Sequence, residues 1–318
     1  MSMTVHPEAQ MITLRSIRPD EASWFAALDT PRILDHLTDA WNDGSSRPDW
    51  TMVAEADGRP IARAALLAEP MGGGVTTLEG VMAFPWADFD HPRHGAAFLT
   101  LADALAERLA PHGPTTLDRR LNPEVHADID RMRPLLEASG FGLFQEKIGF
   151  AWTPDVAAPV LPPGVQIVTF ADIGRDAYRE VMARTAAITL DRNDRYYINR
   201  CEPEPWAEEI LTALQDGDET SWLLVHHGEE PVGFVAVSPF DDETWTIVHI
   251  GVVPDHRGHG HVSELLAAAD RIARDRGFAS GLSDVDVKNE PMIAALVRAG
   301  HRPDLRPWHI WHYRREVP

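Results

Sequence analysis

Ile250-Gly251-Val252-Val253-Pro254-Asp255-His256-Arg257-Gly258-His259-Gly260-His261 is the stretch whose reading decides the fold. A short apolar strand runs into a basic, glycine-punctuated turn, and the turn opens an amphipathic helix predicted over Val262 to Arg276. A strand–turn–helix of this kind leaves backbone N–H groups without partners at the helix N-terminus, all directed at one spot. The donors and the positive end of the helix dipole draw a phosphate or pyrophosphate there. Gly258 and Gly260 let the ligand approach the backbone, and Arg257 adds a charge suited to phosphate oxygens. The competing reading is an ordinary β–α turn with glycines for tight geometry. The Val-Val-Pro-x-x-Arg-Gly-x-Gly frame is more specific than a glycine pair, and it favours the ligand.

On these residues the chain resembles the GNAT superfamily, the N-acetyltransferases that use acetyl-CoA or another acyl-CoA. The family signature is Arg/Gln-x-x-Gly-x-Gly/Ala after a strand ending in Val-x-Pro, and Arg257, Gly258 and Gly260 stand in register with it. Leu282-Ser283-Asp284-Val285 resembles the next family strand, and Asn289, Met292 and Ala299-Gly300-His301 resemble the later motif. The resemblance implies a cofactor site built from Val252, Val253, Arg257, Gly258, His259, Gly260, His261, Val262 and Ser263, with Asn289 lining the groove. It also implies acetyl-CoA as co-substrate, and a strand splay that exposes an oxyanion-binding N–H near Gly251 to Val253. Two positions depart from the pattern. Val262 stands where a small residue is usual and narrows the cradle, and Leu296 stands where many members carry a tyrosine general acid.

Length and composition bound the rest. At 318 residues, 44% of them hydrophobic, the chain is long enough for two domains with separate cores. No apolar run reaches membrane-spanning length and the N-terminus lacks a secretory pattern, so a soluble cytoplasmic protein is expected. The lone Cys201 rules out an internal disulfide and any multi-cysteine zinc site. A net charge of −20 argues against nucleic acid as a partner and suits a cationic amine substrate. Lys147 and Lys288 are the only lysines, read as a composition bias in favour of arginine. The oligomeric state stays open, with a homodimer admitted.

The chain reads as two similar halves. Thr51 to Ala64 and Leu223 to Val235 are both hairpins preceded by a tryptophan, Trp50 and Trp222. Each half closes with a helix, a glycine and an aromatic-rich strand pair, containing Phe150 to Trp152 in the first and Trp308 to Trp311 in the second. The prolines of Pro154 to Gly164 mark a stiff connector. The expected fold is α/β: two tandem GNAT-like domains, each a mixed twisted sheet flanked by helices. Residues 1–154 would form a degenerate domain without an intact CoA site, 155–164 the linker, and 165–318 the domain with the acyl-CoA site. The first half's turn, Asp88 to Ala96, has one glycine, a proline that removes a donor and two aspartates that repel phosphate.

Acetyl transfer to an amine needs a polarised thioester, a neutral amine and a proton for the departing thiolate. His249 is the candidate base because its ordinary pKa lies near neutrality, with a structural histidine as the equal alternative. Glu243 is the reserve base through water, and Tyr197, beside Tyr196, is the candidate acid. Asp284 and Asp286 fall on one face of their strand, where they could hold a cationic acceptor or pair with arginines. His226-His227 and His309-x-x-His312 lack a carboxylate at useful spacing, so no metal is expected. With these residues, the resemblance implies an N-acetyltransferase in which the primary amine of a small, cationic acceptor attacks acetyl-CoA directly. A non-catalytic acyl-CoA-binding or regulatory protein is the alternative, and a scaffold without CoA the third.

Overall fold

The computed structural model describes residues 11–28, 33–70, 78–112, 116–121, 129–157, 160–213 and 219–313. The chain divides into two compact units, one holding the chain up to Phe144 together with the strand from His309, the other Gln145–Trp308.

In the first unit the strands and helices run β1 (Thr13–Ser16), α1 (Ala22–Ala27), α2 (Ile33–Asp43), β2 (Thr51–Ala56), β3 (Arg59–Pro70), β4 (Leu78–Ala87), α3 (His94–Leu109), β5 (Thr116–Leu121), α4 (Ile129–Ala138) and the start of β6 (Phe141–Trp152). β1 to β4 are an antiparallel meander, and β5 joins β4 in parallel after the α3 crossover. Asp57 and Gly58, both at positive φ, make the tight turn between β2 and β3 that the sequence marks. Phe98, Leu101, Leu105 and Leu109 repeat at helical spacing on α3 and bury one face of it in the core.

The second unit continues with β7 (Val165–Thr169), α5 (Phe170–Ile173), α6 (Arg175–Ala186), α7 (Arg192–Cys201), α8 (Pro203–Ala213), β8 (Trp222–His227), β9 (Glu230–Pro239), β10 (Thr244–Val252), α9 (Val262–Asp275), β11 (Ser280–Asp286), α10 (Glu290–Arg298) and β12 (Arg302–Tyr313). Its plan repeats the first: β7 to β10 form an antiparallel meander and β11 joins β10 in parallel. Leu265, Leu266, Ala269 and Ala273 bury the apolar face of α9. Two mixed α/β units of one strand plan are what the hairpin repeat predicts.

The division between the units departs from the expected boundaries at 155–164. Residues 153–157 and 160–164 form neither helix nor strand, while 158 and 159 lie outside the described residues. The closing strands, however, are exchanged. Residues 147–152 of β6 pair with β11 of the second unit, and 309–312 of β12 pair with β5 of the first. Trp152 packs edge-on to Trp245 at 5.4 Å in the second core, and Trp311 is buried in the first. Both closing strands are aromatic-rich, so local pattern alone assigns each to the nearer half. Among the described residues no helix is long and apolar enough to cross a membrane.

Candidate active site

The turn between β10 and α9 is organised by its ends. The N–H of His256 donates to Val253 O, that of Arg257 to Pro254 O, and that of Ser263 to Gly260 O. Between them, the N–H groups of Gly258, His259, Gly260, His261 and Val262 have no protein acceptor among the described residues. Gly258 at φ +81° and Gly260 at φ +88° hold the left-handed backbone that presents these donors outward. A Cβ built on either glycine meets nothing within 4 Å, so the space above the backbone is open. Five consecutive donors at the start of a 14-residue helix make an anion cradle.

That cradle forms one wall of a cavity of about 320 Å³. Gly258, Gly260, His261 and Val262 line it from the turn, Thr185 from α6, and Asn289 from the cap of α10. It opens where the sheet parts. β10 and β11 are paired only from Thr244–Ser280 to Thr246–Leu282, after which both strands continue unpaired with each other. A register shift between Ile247 and His249 bends β10 at this point. The N–H of Val253 donates to Val232 O on β9, so alternation turns the N–H of Val252 toward the open side.

A second cavity, of about 150 Å³, sits in the splay itself and is strongly polar. Lys147 reaches in from β6 and pairs with Asp284, with Asp191 at 3.7 Å. Gln145 donates to Asp191 and Asp286, each at 3.0 Å. Asp286 also accepts from the N–H groups of Arg192 and Lys288, and Asp191 caps α7 by accepting from Asn193 and Asp194. The Asp194 carboxylate has no hydrogen-bond or ion-pair partner among the described residues; the residue's N–H donates to Asp191. It lines both cavities, as do His249 and Asn289. Burial, reinforced by the Asp191 charge, pushes the Asp194 carboxyl up to about 8. Burial, reinforced by the Lys147 charge, pushes the His249 imidazole down to about 4, and its ring stands edge-on to Trp206 at 5.5 Å.

An amide cradle beside a strand splay suits a phosphate-bearing, extended ligand. Residues 187–301 match the Acetyltransferase (GNAT) family. A curated relative, the mycothiol acetyltransferase of Streptomyces bingchenggensis, is 29% identical over 208 residues, which are 57% of this chain and 59% of the relative. The chain thus spans about three fifths of that relative's length. A GCN5-related N-acetyltransferase from Sphaerobacter thermophilus shares the fold over 96% of both chains, with a TM-score of 0.68 at 19% identity. A tandem GNAT protein from the clavulanic acid biosynthesis pathway shares it over 97% of this chain and 99% of its own, with a TM-score of 0.60 at 17% identity. GNAT enzymes in general take their acetyl group from acetyl-CoA.

Within this site several residues fall elsewhere than the sequence suggested. Arg257 does not face the cradle: its guanidinium donates to the carbonyls of Val252 (3.0 Å), Ile188 (2.5 Å) and Thr185 (2.9 Å), tying the turn to α6. Val253 is buried, and with Ser263 its N–H is already bonded, so neither offers a donor. His259 borders neither cavity, although its N–H belongs to the cradle. Glu243 is exposed at the far end of β10, six residues or roughly 20 Å from His249. Tyr197 also borders neither cavity, its ring lying edge-on to Tyr196 at 5.5 Å. Asp284 and Asp286 share the second cavity as alternation requires, but their partners are Lys147, Gln145 and backbone amides rather than arginines. Cys201 is buried and its thiol donates to Tyr197 O at 3.4 Å, a packing role.

Sequence reasoning missed Asp194 and Lys147. Asp194 was visible as Asp191-x-x-Asp194, a helix cap followed by a second carboxylate one turn on. Lys147 carried a signal too, as one of two lysines in a chain that otherwise uses arginine. Only the exchange of β6 into the second unit brings it to the site.

Proposed function

We propose that the chain is an acetyl-CoA-dependent N-acyltransferase whose working site lies in the second unit, and that the first unit has kept the fold without a cofactor site. The observation that carries this reading is the run of five unpartnered amides, Gly258 to Val262, opening onto the cavity that meets the strand splay. The amides would hold the pyrophosphate, and the N–H of Val252 would receive the oxyanion of the thioester carbonyl. The acceptor amine would enter through the second cavity. Asp191, Asp194, Asp284 and Asp286 outnumber the single Lys147 there, so the site favours a small molecule with a cationic amine.

Proton transfer decides between the two candidate bases. An alkylammonium has a pKa near 10. Burial makes the His249 imidazole a weaker base than usual and the Asp194 carboxylate a stronger one, so the carboxylate is the better matched of the two to an alkylammonium. Asp194 is therefore the base in this reading, and His249 a neutral wall beside the thioester. The amine nitrogen attacks the carbonyl carbon, the C–N bond forms, and the C–S bond breaks. Asp194 first takes the ammonium proton and releases it to solvent; on attack it takes the second proton from the amine nitrogen and, bordering the cofactor cavity as well, passes that one to the thiolate. Leu296, buried at the position where a tyrosine acid was expected, then leaves no gap in the proton path.

The test is release of free thiol from acetyl-CoA across a panel of amines. The panel includes diamines, amino sugars, neutral amides and, because a curated relative is named mycothiol acetyltransferase, a mycothiol-type acceptor. Turnover with the cationic amines is expected. CoA binding without turnover across the panel would convert the chain into an acyl-CoA-binding protein. Absence of any stabilisation by CoA would remove the cofactor site altogether.

A further inference from the structure

The sequence offered no metal site because neither histidine pair has a carboxylate at a useful spacing. The fold supplies one. His227 ends β8, His261 precedes the first turn of α9, and Glu264 lies three residues further, on the same helical face. One carboxylate oxygen, Glu264 Oε2, stands 2.8 Å from His227 Nε2 and 3.2 Å from His261 Nδ1. The two imidazole rings stand edge-on at 74°, with centroids 4.4 Å apart.

We propose that His227, His261 and Glu264 bind a first-row divalent transition ion, Zn²⁺ by ligand class, at the outer end of the phosphate turn. Their ligand atoms all lie within 4.8 Å of one another. In a tetrahedral zinc site with bonds of 2.0–2.1 Å, ligand atoms sit about 3.3 Å apart. The two distances to Glu264 are already within half an ångström of that edge, and the two imidazole ligand atoms lie within 4.8 Å of each other, in reach of side-chain rotation. Two imidazole nitrogens and one carboxylate oxygen select zinc, cobalt or nickel over magnesium and calcium, which require oxygen sets. Three protein ligands leave a fourth position for water or a neighbouring imidazole. His256 and His259 have their rings 6.0 and 6.1 Å from that of His261.

Access and field both favour the ion. His227 is exposed, so the site fills from solvent, and a chain of net charge −20 concentrates cations at its surface. Simple hydrogen bonding of two imidazoles to one carboxylate is the competing account, and it makes a different prediction. The proposal needs neither CoA nor an acceptor, so it stands or falls apart from the acyltransfer reading.

The experiment uses the untagged chain, stripped of metal by a chelator and then titrated with Co²⁺ and, by equilibrium dialysis, with Zn²⁺. One equivalent is expected, with the visible ligand-field bands of four-coordinate Co²⁺. His227→Asn, His261→Asn and Glu264→Gln should each weaken binding on the order of 10-fold or more, while His226→Asn should not. Melting curves of the metal-free variants check folding, and Glu264→Gln, which preserves side-chain shape, decides the matter if a histidine variant fails to fold. Absence of a stoichiometric ion, or equal affinity in the Glu264→Gln and wild-type chains, would overturn the proposal.

Discussion

In the first unit the turn from β4 to α3 runs through Asp88 to Arg93; in the second the turn from β10 to α9 runs through Val253 to His261. The strand plans around them are the same, and the backbone donors are used in opposite ways. The first turn consumes most of its own. Asp90 N–H donates to the Asp88 carboxylate, His91 N–H to Asp88 O, Arg93 N–H to His91 Nδ1, and His94 N–H to His91 O, while Pro92 has no donor. In the second turn five consecutive N–H groups are left over. The difference lies in two residue choices: side-chain acceptors at Asp88 and His91 fold the amides inward, and glycines at 258 and 260 turn them outward. Repeating a strand plan does not by itself repeat a cradle, because a cradle depends on which donors the chain itself leaves unused.

The sharpest way to break this comparison is Asp194→Asn. If the second unit alone is catalytic, turnover should fall by roughly 10²- to 10⁴-fold, with CoA affinity unchanged. Turnover that survives at wild-type level would mean either that Asp194 is not the base or that the first unit works. The pH profile separates these outcomes: wild-type kcat/KM should rise with pH and level off above about 8, where the Asp194 carboxyl is ionised.

A smaller effect is expected from the turns themselves. Gly260→Val forces a branched side chain into φ +88° and misdirects the amides on either side, so CoA affinity should drop about 10- to 100-fold. Gly95→Ala, at the start of α3, adds a Cβ in ordinary contact with Leu135 at 3.8 Å and should leave CoA affinity unchanged. Calorimetric titration of both variants with CoA measures the contrast. Comparable losses in the two would show that the first turn also holds cofactor.

How much of this was legible in the sequence follows from the range of each interaction. The hairpins, the helix α9 and the cradle are local: Asp57-Gly58, the apolar spacing of Leu265, Leu266, Ala269 and Ala273, and the Gly258-x-Gly260 turn carry their own signals. The role of Arg257 was not legible, because its three carbonyl partners include Thr185 and Ile188, about 70 residues away. Nor was the polar cluster. Gln145 reaches Asp286 across 141 positions, through a strand that local pattern assigned to the other half. Asp194 shows the same limit, since its proton affinity is set by burial and by Asp191, not by residue type.

Arg257 gives a further contrast with the first unit, where Arg93 pairs with the exposed Asp57 at 2.5 Å. Arg257→Lys keeps the charge but loses the fork that spans three carbonyls, and should destabilise the fold by about 1–3 kcal/mol. Arg93→Lys alters an exposed ion pair and should cost less than about 1 kcal/mol. Denaturant melts of both variants measure this. If Arg257→Lys left stability intact while weakening CoA, the guanidinium would belong to the phosphate after all.

The smallest effect concerns stability and pH. The Asp194 carboxyl is raised from 3.8 to about 8 in the folded chain, so between those values the unfolded chain binds fewer protons than the folded one. This group therefore makes the wild type less stable as pH rises through that window, and the slope ends above about 8. Asparagine has no such slope. His249 acts in the opposite sense between about 4 and 6.5, because its folded pKa is depressed and stability is lost as pH falls. The interval from 6.5 to 8 isolates Asp194. Across it the melting temperature of Asp194→Asn should gain on the wild type by an amount equivalent to about 1–2 kcal/mol, allowing for solvent screening. Hydrogen exchange should place that gain in β8 to β11 and leave β1 to β4 unchanged. A gap that stays constant with pH would show that Asp194 is already ionised at neutrality, and the case for it as a base tuned by burial would fail with it.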